Sequence, residues 1–219
     1  MNDAMTKLRE AALRLRAKGL LQAGDTLSLR VAGADQFLLL AATDDDDPLI
    51  RLLPLPVAGI GATEQGTPPS QHLGVYQTRP DVGSVLLNRQ PWAAALHELG
   101  RDMPGIFDEQ IRHLGRSVAL LDDGADTPAS RALLRSGANA FVMPGQVLCL
   151  GMIPERTVFN AELLEKCAKA YVLASCADLP VGRIPWLVRW IANGRLMKDE
   201  RRAAAQYAAG QTPALSSAY

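Results

Sequence analysis

The chain has 219 residues, with 23 basic and 23 acidic side chains, and 48% of its residues are apolar. A neutral total gives no global field to draw in a nucleic-acid backbone or an acidic membrane, and the composition fits neither a disordered chain nor a membrane span. A chain of this length suits one large domain with a well-buried core.

The opening MNDAMTKLREAALRLRAKG carries charge at nearly every turn and has no apolar h-region, which reads against a secretory leader. Met5, Leu8, Ala12 and Leu15 recur at helical spacing, with Gly19 placed as a C-cap. The period then changes to two. Leu27, Leu29 and Val31 alternate with Ser28 and Arg30, the pattern of a half-buried strand. The apolar run 37–41 is expected to pair with it across the turn 33–36. The acidic block 44–47 before Pro48 lacks the alternating ligands and glycine of a calcium loop and reads as a solvated turn. Residues 54–69, rich in Pro and Gly, read as a loop with at most one short strand.

Further on, the patterns predict helices over 71–77, 91–99 and 128–135 and strands over 84–87 and 117–121. Two more apolar runs, 140–143 and 147–150, flank Pro144-Gly145 as a hairpin or broken strand pair. The strongest helix spans 154–177, where Leu163, Cys167 and Tyr171 lie four apart beside the row Leu164, Ala168 and Val172. Two further helices, 186–191 and 196–208, close the chain. No repeat or linker is visible, so one domain over 1–210 with a loose tail over 211–219 is expected.

Three cysteines, Cys149, Cys167 and Cys176, form no C-x-x-C pair and sit among apolar neighbours. They read as small core hydrophobes in a reducing cytoplasm rather than as a disulfide framework or zinc ribbon. The histidines are His72, His97 and His113, and no two share a helix-face or strand-face spacing. His97-Glu98 begins like H-E-x-x-H, but residue 101 is Arg. His72 reads as a partly buried helix histidine, Cys149 as a core thiol with no base beside it, and Asp122-Asp123-Gly124 as a surface turn. No G-x-S-x-G, Walker loop or G-x-G-x-x-G is present.

The most informative stretch is His72-Leu-Gly-Val-Tyr76-Gln-Thr-Arg79-Pro80-Asp81-Val82, running on through the apolar run at 84–87 to Pro91-Trp92. A helix with H-x-x-x-Y, then R-P-D-V, a buried strand and a Pro-started helix resembles the class II aldolase/adducin family. Residues 24–30 are similar to the family's G-N-x-S-x-R strand, and 138–151 with the helix 162–171 to its C-terminal portion. The resemblance implies a three-layer α/β/α sandwich with a largely antiparallel central sheet, and ring-shaped tetramers. It also implies a divalent metal, usually zinc, held by three histidines, with a glutamate for acid–base work, in enzymes that cleave or epimerise sugar phosphates and hydroxy-acids. On a strand, H-x-H offers two imidazoles to one ion, which then polarises a substrate carbonyl.

Placed residue by residue, the resemblance sets the H-x-H on Leu87 and Arg89, the third histidine on Gly145 and the glutamate on Pro68. None of these side chains binds a metal ion, so no catalytic residue, metal or cofactor is expected. Arg89 stands where the second ligand would, either holding a carboxylate or phosphate together with Ser28, Arg30 and Gln146, or making an internal salt bridge or pointing to solvent. Trp186 and Trp190 flank Arg189 and read either as a subunit contact or as ordinary packing. The expected function is that of a non-catalytic, pseudo-enzyme aldolase-like domain, a homo-oligomeric binding or scaffold protein for which adducin's head domain is a family precedent. Its expected partner is a protein or a small anionic ligand, with no nucleic acid and no membrane. The alternative is an active aldolase or epimerase of sugar or hydroxy-acid metabolism whose catalytic groups lie elsewhere.

Overall fold

The structure, a computed structural model, describes residues 2–44, 48–55, 64–122, 124–177 and 180–214. In chain order the elements are α1 (Asn2–Ala17), β1 (Thr26–Arg30), β2 (Gln36–Ala41), β3 (Leu49–Pro54), α2 (Pro68–Thr78), β4 (Ser84–Asn88), α3 (Pro91–Glu98) and β5 (Met103–Pro104). There follow α4 (Asp108–Leu114), β6 (Ser117–Leu120), α5 (Pro128–Leu134), β7 (Ala140–Met143), β8 (Gln146–Gly151), α6 (Pro154–Cys176) and α7 (Trp186–Ala208).

The strands form one eight-stranded sheet in the order β3-β2-β1-β4-β8-β7-β6-β5. It is a mixed sheet: β6 and β7 run parallel, because the chain between them crosses over through α5, while the other neighbouring pairs are antiparallel. The expectation of a largely antiparallel sheet is corrected by that crossover.

Alternation along the strands divides the core between the two faces. Leu86, Val142, Val147 and Cys149 pack with Leu8 and Leu15 of α1, Leu96 of α3 and Leu164 and Ala168 of α6. Their neighbours Val85, Leu87, Phe141, Leu148 and Leu150 pack on the other face with Leu73 and Tyr76 of α2 and Leu134 of α5. An apolar run without polar interruption is what a strand covered on both faces requires.

Five local expectations change. Cys176, expected in the core with the other two cysteines, is exposed near the end of α6. Strand β1 is not half-buried: Ser28 is as buried as Leu27, because α2 supplies polar partners on that face. Strand β3 pairs with β2 over Gln36–Ala41, and its apolar sequence LIRLLP is half-exposed at the sheet's edge. Helix α4 places Gln110, Ile111 and Leu114 inward in seven residues, too few for a visible period. Helix α7 is continuous where the sequence pattern predicts two helices. Gly194 costs about 1 kcal/mol in a helix interior, but Ala192, Asn193, Leu196, Glu200, Ala203 and Tyr207 bury one unbroken face on both sides of it. Residues 45–47 of the acidic block, 56–63 of the Pro- and Gly-rich loop, Asp123 of the predicted turn and 215–219 of the tail lie outside the described residues; Pro213, within the tail, is buried.

Candidate functional site

At one end of the central strands lie the positions that the resemblance gives to metal chemistry. Leu87, buried in β4, faces Thr26 of β1 and Leu148 of β8. Asn88 pairs with Val147, so the continued register sets Arg89 beside Gln146. Gly145 sits in the β7–β8 turn at φ +69°, and Pro68 opens α2. Arg89 leaves the strand's end and turns to Asp25: its Nε donates to Asp25 Oδ1 at 3.1 Å and its Nη2 donates to the Ala23 carbonyl. Asp25 also accepts from the Gln22 amide at 2.7 Å. Burial pushes its carboxyl above the ordinary range, against the hydrogen bonds from Gln22 and Arg89. The Arg89 side chain is 49% exposed and that of Asp25 1%, so Arg89 makes the salt bridge while about half of it faces solvent.

Ser28 and Arg30 do not join Arg89. Ser28, fully buried, lies under α2, with Oγ 2.6 Å from His72 Nδ1 and 2.7 Å from the Tyr76 hydroxyl. His72 Nε2 is 2.9 Å from Thr26 Oγ1, and the Tyr76 hydroxyl is 3.4 Å from the Gly83 carbonyl. With the Tyr76 proton directed at the Gly83 carbonyl, the chain runs from Thr26 to Nε2, from Nδ1–H to Ser28 and from Ser28 to Tyr76. With it directed at Ser28, the three short contacts run the other way, and in both the imidazole carries one proton. His72 is therefore a neutral imidazole, and burial pulls its pKa down to about 3. It is a fully buried histidine rather than the partly buried one expected, and a hydroxyl so enclosed does not meet a substrate. The H-x-x-x-Y spacing puts both side chains on the α2 face that covers β1.

Arg30 belongs to the opposite end of the strands, six residues of register and roughly 20 Å from Arg89 at about 3.3 Å per residue. Its Nη2 donates to the carbonyls of Tyr76 and Arg79 at 2.8 and 3.2 Å, and its guanidinium lies 5.0 Å from the Tyr76 ring and 5.5 Å from the Tyr207 ring. The four residues expected to share an anion pocket are therefore divided, with Ser28 and Arg30 against Tyr76, and with Arg89 at the other end of the strands.

The polar cluster that sequence reading missed is built on Arg79, 4% exposed. Its guanidinium donates to both oxygens of Asp81 at 2.9 and 2.7 Å, to the Leu134 and Ala138 carbonyls, to Asn139 Oδ1 and to Glu200 Oε1 at 3.0 Å. Asn139 Nδ2 donates to Glu200 Oε1 at 3.1 Å and to the His113 carbonyl. The available signal was the R-P-D triplet itself: with φ of the intervening Pro fixed, Arg and Asp two apart are set to pair. That Glu200 completes the cluster from 121 residues away has no local signature. The cluster ties α7 to β7 and the α2–β4 turn, a structural role.

Neither the positions at the strand ends nor these clusters suit a divalent ion. Leu87, Gly145 and Pro68 offer no side-chain donor atom, and Arg89 brings a fixed positive charge already matched by Asp25. Among the described residues no group of three or more His, Cys, Asp or Glu side chains converges as a ligand set. Cys149 is buried, its thiol pushed up to about 12 by burial, as befits a core residue rather than a nucleophile. No helix among the described residues is long and apolar enough to cross a membrane.

No curated protein matches the chain. Solved structures share its fold at low identity. An L-fuculose 1-phosphate aldolase superposes with a TM-score of 0.72 at 18% identity, covering 90% of this chain and 97% of that one. An aldolase II superfamily protein from Pseudomonas syringae gives 0.65 at 16%, covering 96% and 94%. The L-fuculose-1-phosphate aldolase from Thermus thermophilus gives 0.61 at 18%, covering 80% and 96%. The family model for the class II aldolase and adducin N-terminal domain matches residues 34–172, from the strand pair through the R-P-D turn into α6, and the chain belongs to that family.

Proposed function

We propose that this chain is a non-catalytic member of the class II aldolase and adducin family, acting as a homo-oligomeric binding or scaffold domain. The carrying observation is the chemistry at the strand ends: two ligand positions without side-chain donor atoms, the third a guanidinium ion-paired to Asp25, and a proline in place of the acid–base group. The family's reaction needs a Lewis acid at the carbonyl and a base beside it, and this set supplies neither. A small-anion version of the reading rests on Arg89 and Gln146 alone. The names of the structural relatives do not transfer at 18% identity or less, since fold does not fix function.

Metal analysis of the purified protein, with melting curves in zinc, manganese and cobalt, tests this. A metal at about 100 times its Kd would add about 2.7 kcal/mol, worth several degrees in Tm. Substoichiometric metal and unshifted melting are expected. A stoichiometric, stabilising metal would overturn the proposal, and aldol cleavage of sugar phosphates would then be the activity to assay.

A further inference from the structure

From 186 to 202 the exposed side of α7 carries only two kinds of residue, apolar and cationic. Its inward face is made by Ala192, Asn193, Leu196, Glu200, Ala203 and Tyr207. In the first two turns Trp186, Leu187, Val188, Trp190 and Ile191 are all exposed, the tryptophans by 69% and 64%, so ordinary packing among the described residues takes up neither ring. In the turns that follow, Arg195, Lys198, Arg201 and Arg202 are exposed, and none makes an ion pair among the described residues. Leu187, Ile191, Gly194, Lys198 and Arg201 succeed one another at three- and four-residue spacing. The apolar and cationic parts therefore share one outward line, roughly 20 Å long at about 1.5 Å per residue.

The exposed polar groups of this face all donate. Trp, Lys and Arg side chains carry N–H groups and no acceptor, and the acids of α7 are committed elsewhere, Asp199 to Arg112 and Glu200 to Arg79. Interfaces between folded proteins hold about one hydrogen bond per 100–200 Å², with donors and acceptors on both sides. A donor-only face is instead complementary to a layer of phosphates and carboxylates beside an apolar medium. Nucleic acid supplies the phosphates, but Leu187, Val188 and Ile191 have no ring on which a base could stack. An anionic lipid surface supplies both the charge and the apolar layer. Tryptophan favours that boundary, its ring against hydrocarbon and its N–H among headgroups. The chain's balance of 23 cations and 23 anions hides the face, because these four cations are gathered on one helix. Leu49 and Leu52, exposed on edge strand β3, have the single cation Arg51 between them and follow the acidic run 44–47.

We infer that α7 docks lengthwise on an anionic lipid surface, its two tryptophans and Ile191 among the headgroups and its four cations against their phosphates. A helix lying in the surface needs no membrane span. Each Lys or Arg near such a surface is worth about fivefold in affinity, so the four together contribute on the order of 500-fold. Salt screens that contribution. The docking requires neither a metal nor a second copy, so it goes beyond the function proposed above, and its failure leaves that proposal standing.

Co-sedimentation of the full chain with vesicles tests it, using phosphatidylcholine alone and phosphatidylcholine mixed with phosphatidylserine, at low and high salt. The native protein is expected to sediment with the mixed vesicles, more weakly as salt rises, with a blue shift in tryptophan emission. Lys198→Gln/Arg201→Gln/Arg202→Gln should lower that binding on the order of 100-fold. Trp186→Ser/Trp190→Ser should lower it by at least about tenfold and remove the blue shift. Circular dichroism checks that both variants fold. Native protein that sediments with neither vesicle, or equally with both at every salt concentration, overturns the inference, and so does a folded triple variant that binds like the native chain. Native protein that leaves vesicles alone but retards a single-stranded oligonucleotide through the same cations makes the face a nucleic-acid one and overturns it as well.

Discussion

Replacing Arg79 by Met is expected to destabilise the protein by about 3–5 kcal/mol, the usual cost of stripping one partner from a buried ion pair. The guanidinium makes six hydrogen bonds, three of them to carboxylate oxygens of Asp81 and Glu200, at 4% exposure. Met fills much of the volume but leaves Asp81 without its bidentate partner and the Leu134 and Ala138 carbonyls without a donor. Arg79→Lys keeps the charge but offers three donors on a point ammonium in place of a planar fork, so an intermediate loss is expected. Urea unfolding of the three proteins decides it. A loss below about 1 kcal/mol for Met would mean that the cluster relaxes into water, which its burial argues against.

The cluster also shows which task the most family-like stretches perform in this chain. H-x-x-x-Y and R-P-D-V are the stretches where resemblance is strongest, and both are occupied with holding the fold. His72 and Tyr76 satisfy the buried hydroxyl of Ser28, and Arg79 and Asp81 anchor α7 through Glu200. Neither task involves a metal. A chain can therefore change the residues at the strand ends, where Leu87, Arg89, Gly145 and Pro68 stand, without disturbing the contacts that keep the layers together.

What was legible in the sequence follows the same division. Strand β4 and helices α3 and α6 stood out because their apolar period runs unbroken and Pro91 and Pro154 mark the starts. Helix α4 has too few turns for a period, and β3 reads as a plain apolar run next to prolines. The gap at Gly194 mimics a helix end when local propensity is read without Glu200 and Tyr207, whose partners lie at Arg79 and Met152. The same blindness to distant partners affects the candidate site. Alternation puts Ser28 and Arg30 on one face of β1, correctly, but only the register with β4 shows that Arg89 stands at the other end. Asp25, which settles the fate of Arg89, lies 64 residues before it.

Glu200→Gln is expected to raise stability at pH 8 by up to about 3 kcal/mol while leaving it unchanged near pH 4. Glu200 is 7% exposed, and burial together with the nearby Asp81 charge lifts its pKa to about 7, against the opposing pull of Arg79 and the Asn139 amide. One guanidinium serves two carboxylates, and the second is held more easily with its proton on. A carboxyl whose folded pKa exceeds its unfolded value binds more protons folded than unfolded between the two. The stability it contributes is whole below about 4.5 and is lost as pH rises through about 7. Gln keeps the carbonyl oxygen that accepts from Arg79 and Asn139 and removes only the titration. His72 and His113, pulled down to about 3 and about 4, act in the opposite sense, losing stability as pH falls below about 6.5. The native profile is therefore a sum in which the Glu200 slope is masked, and the difference between native and variant isolates it. Urea midpoints measured from about pH 4 to pH 8 should diverge steadily above about 4.5 and level off beyond about 7. If the Glu200→Gln protein proved the less stable form at pH 8, the ionised carboxylate would be a net stabiliser of α7, and the Arg79 pair would outweigh burial.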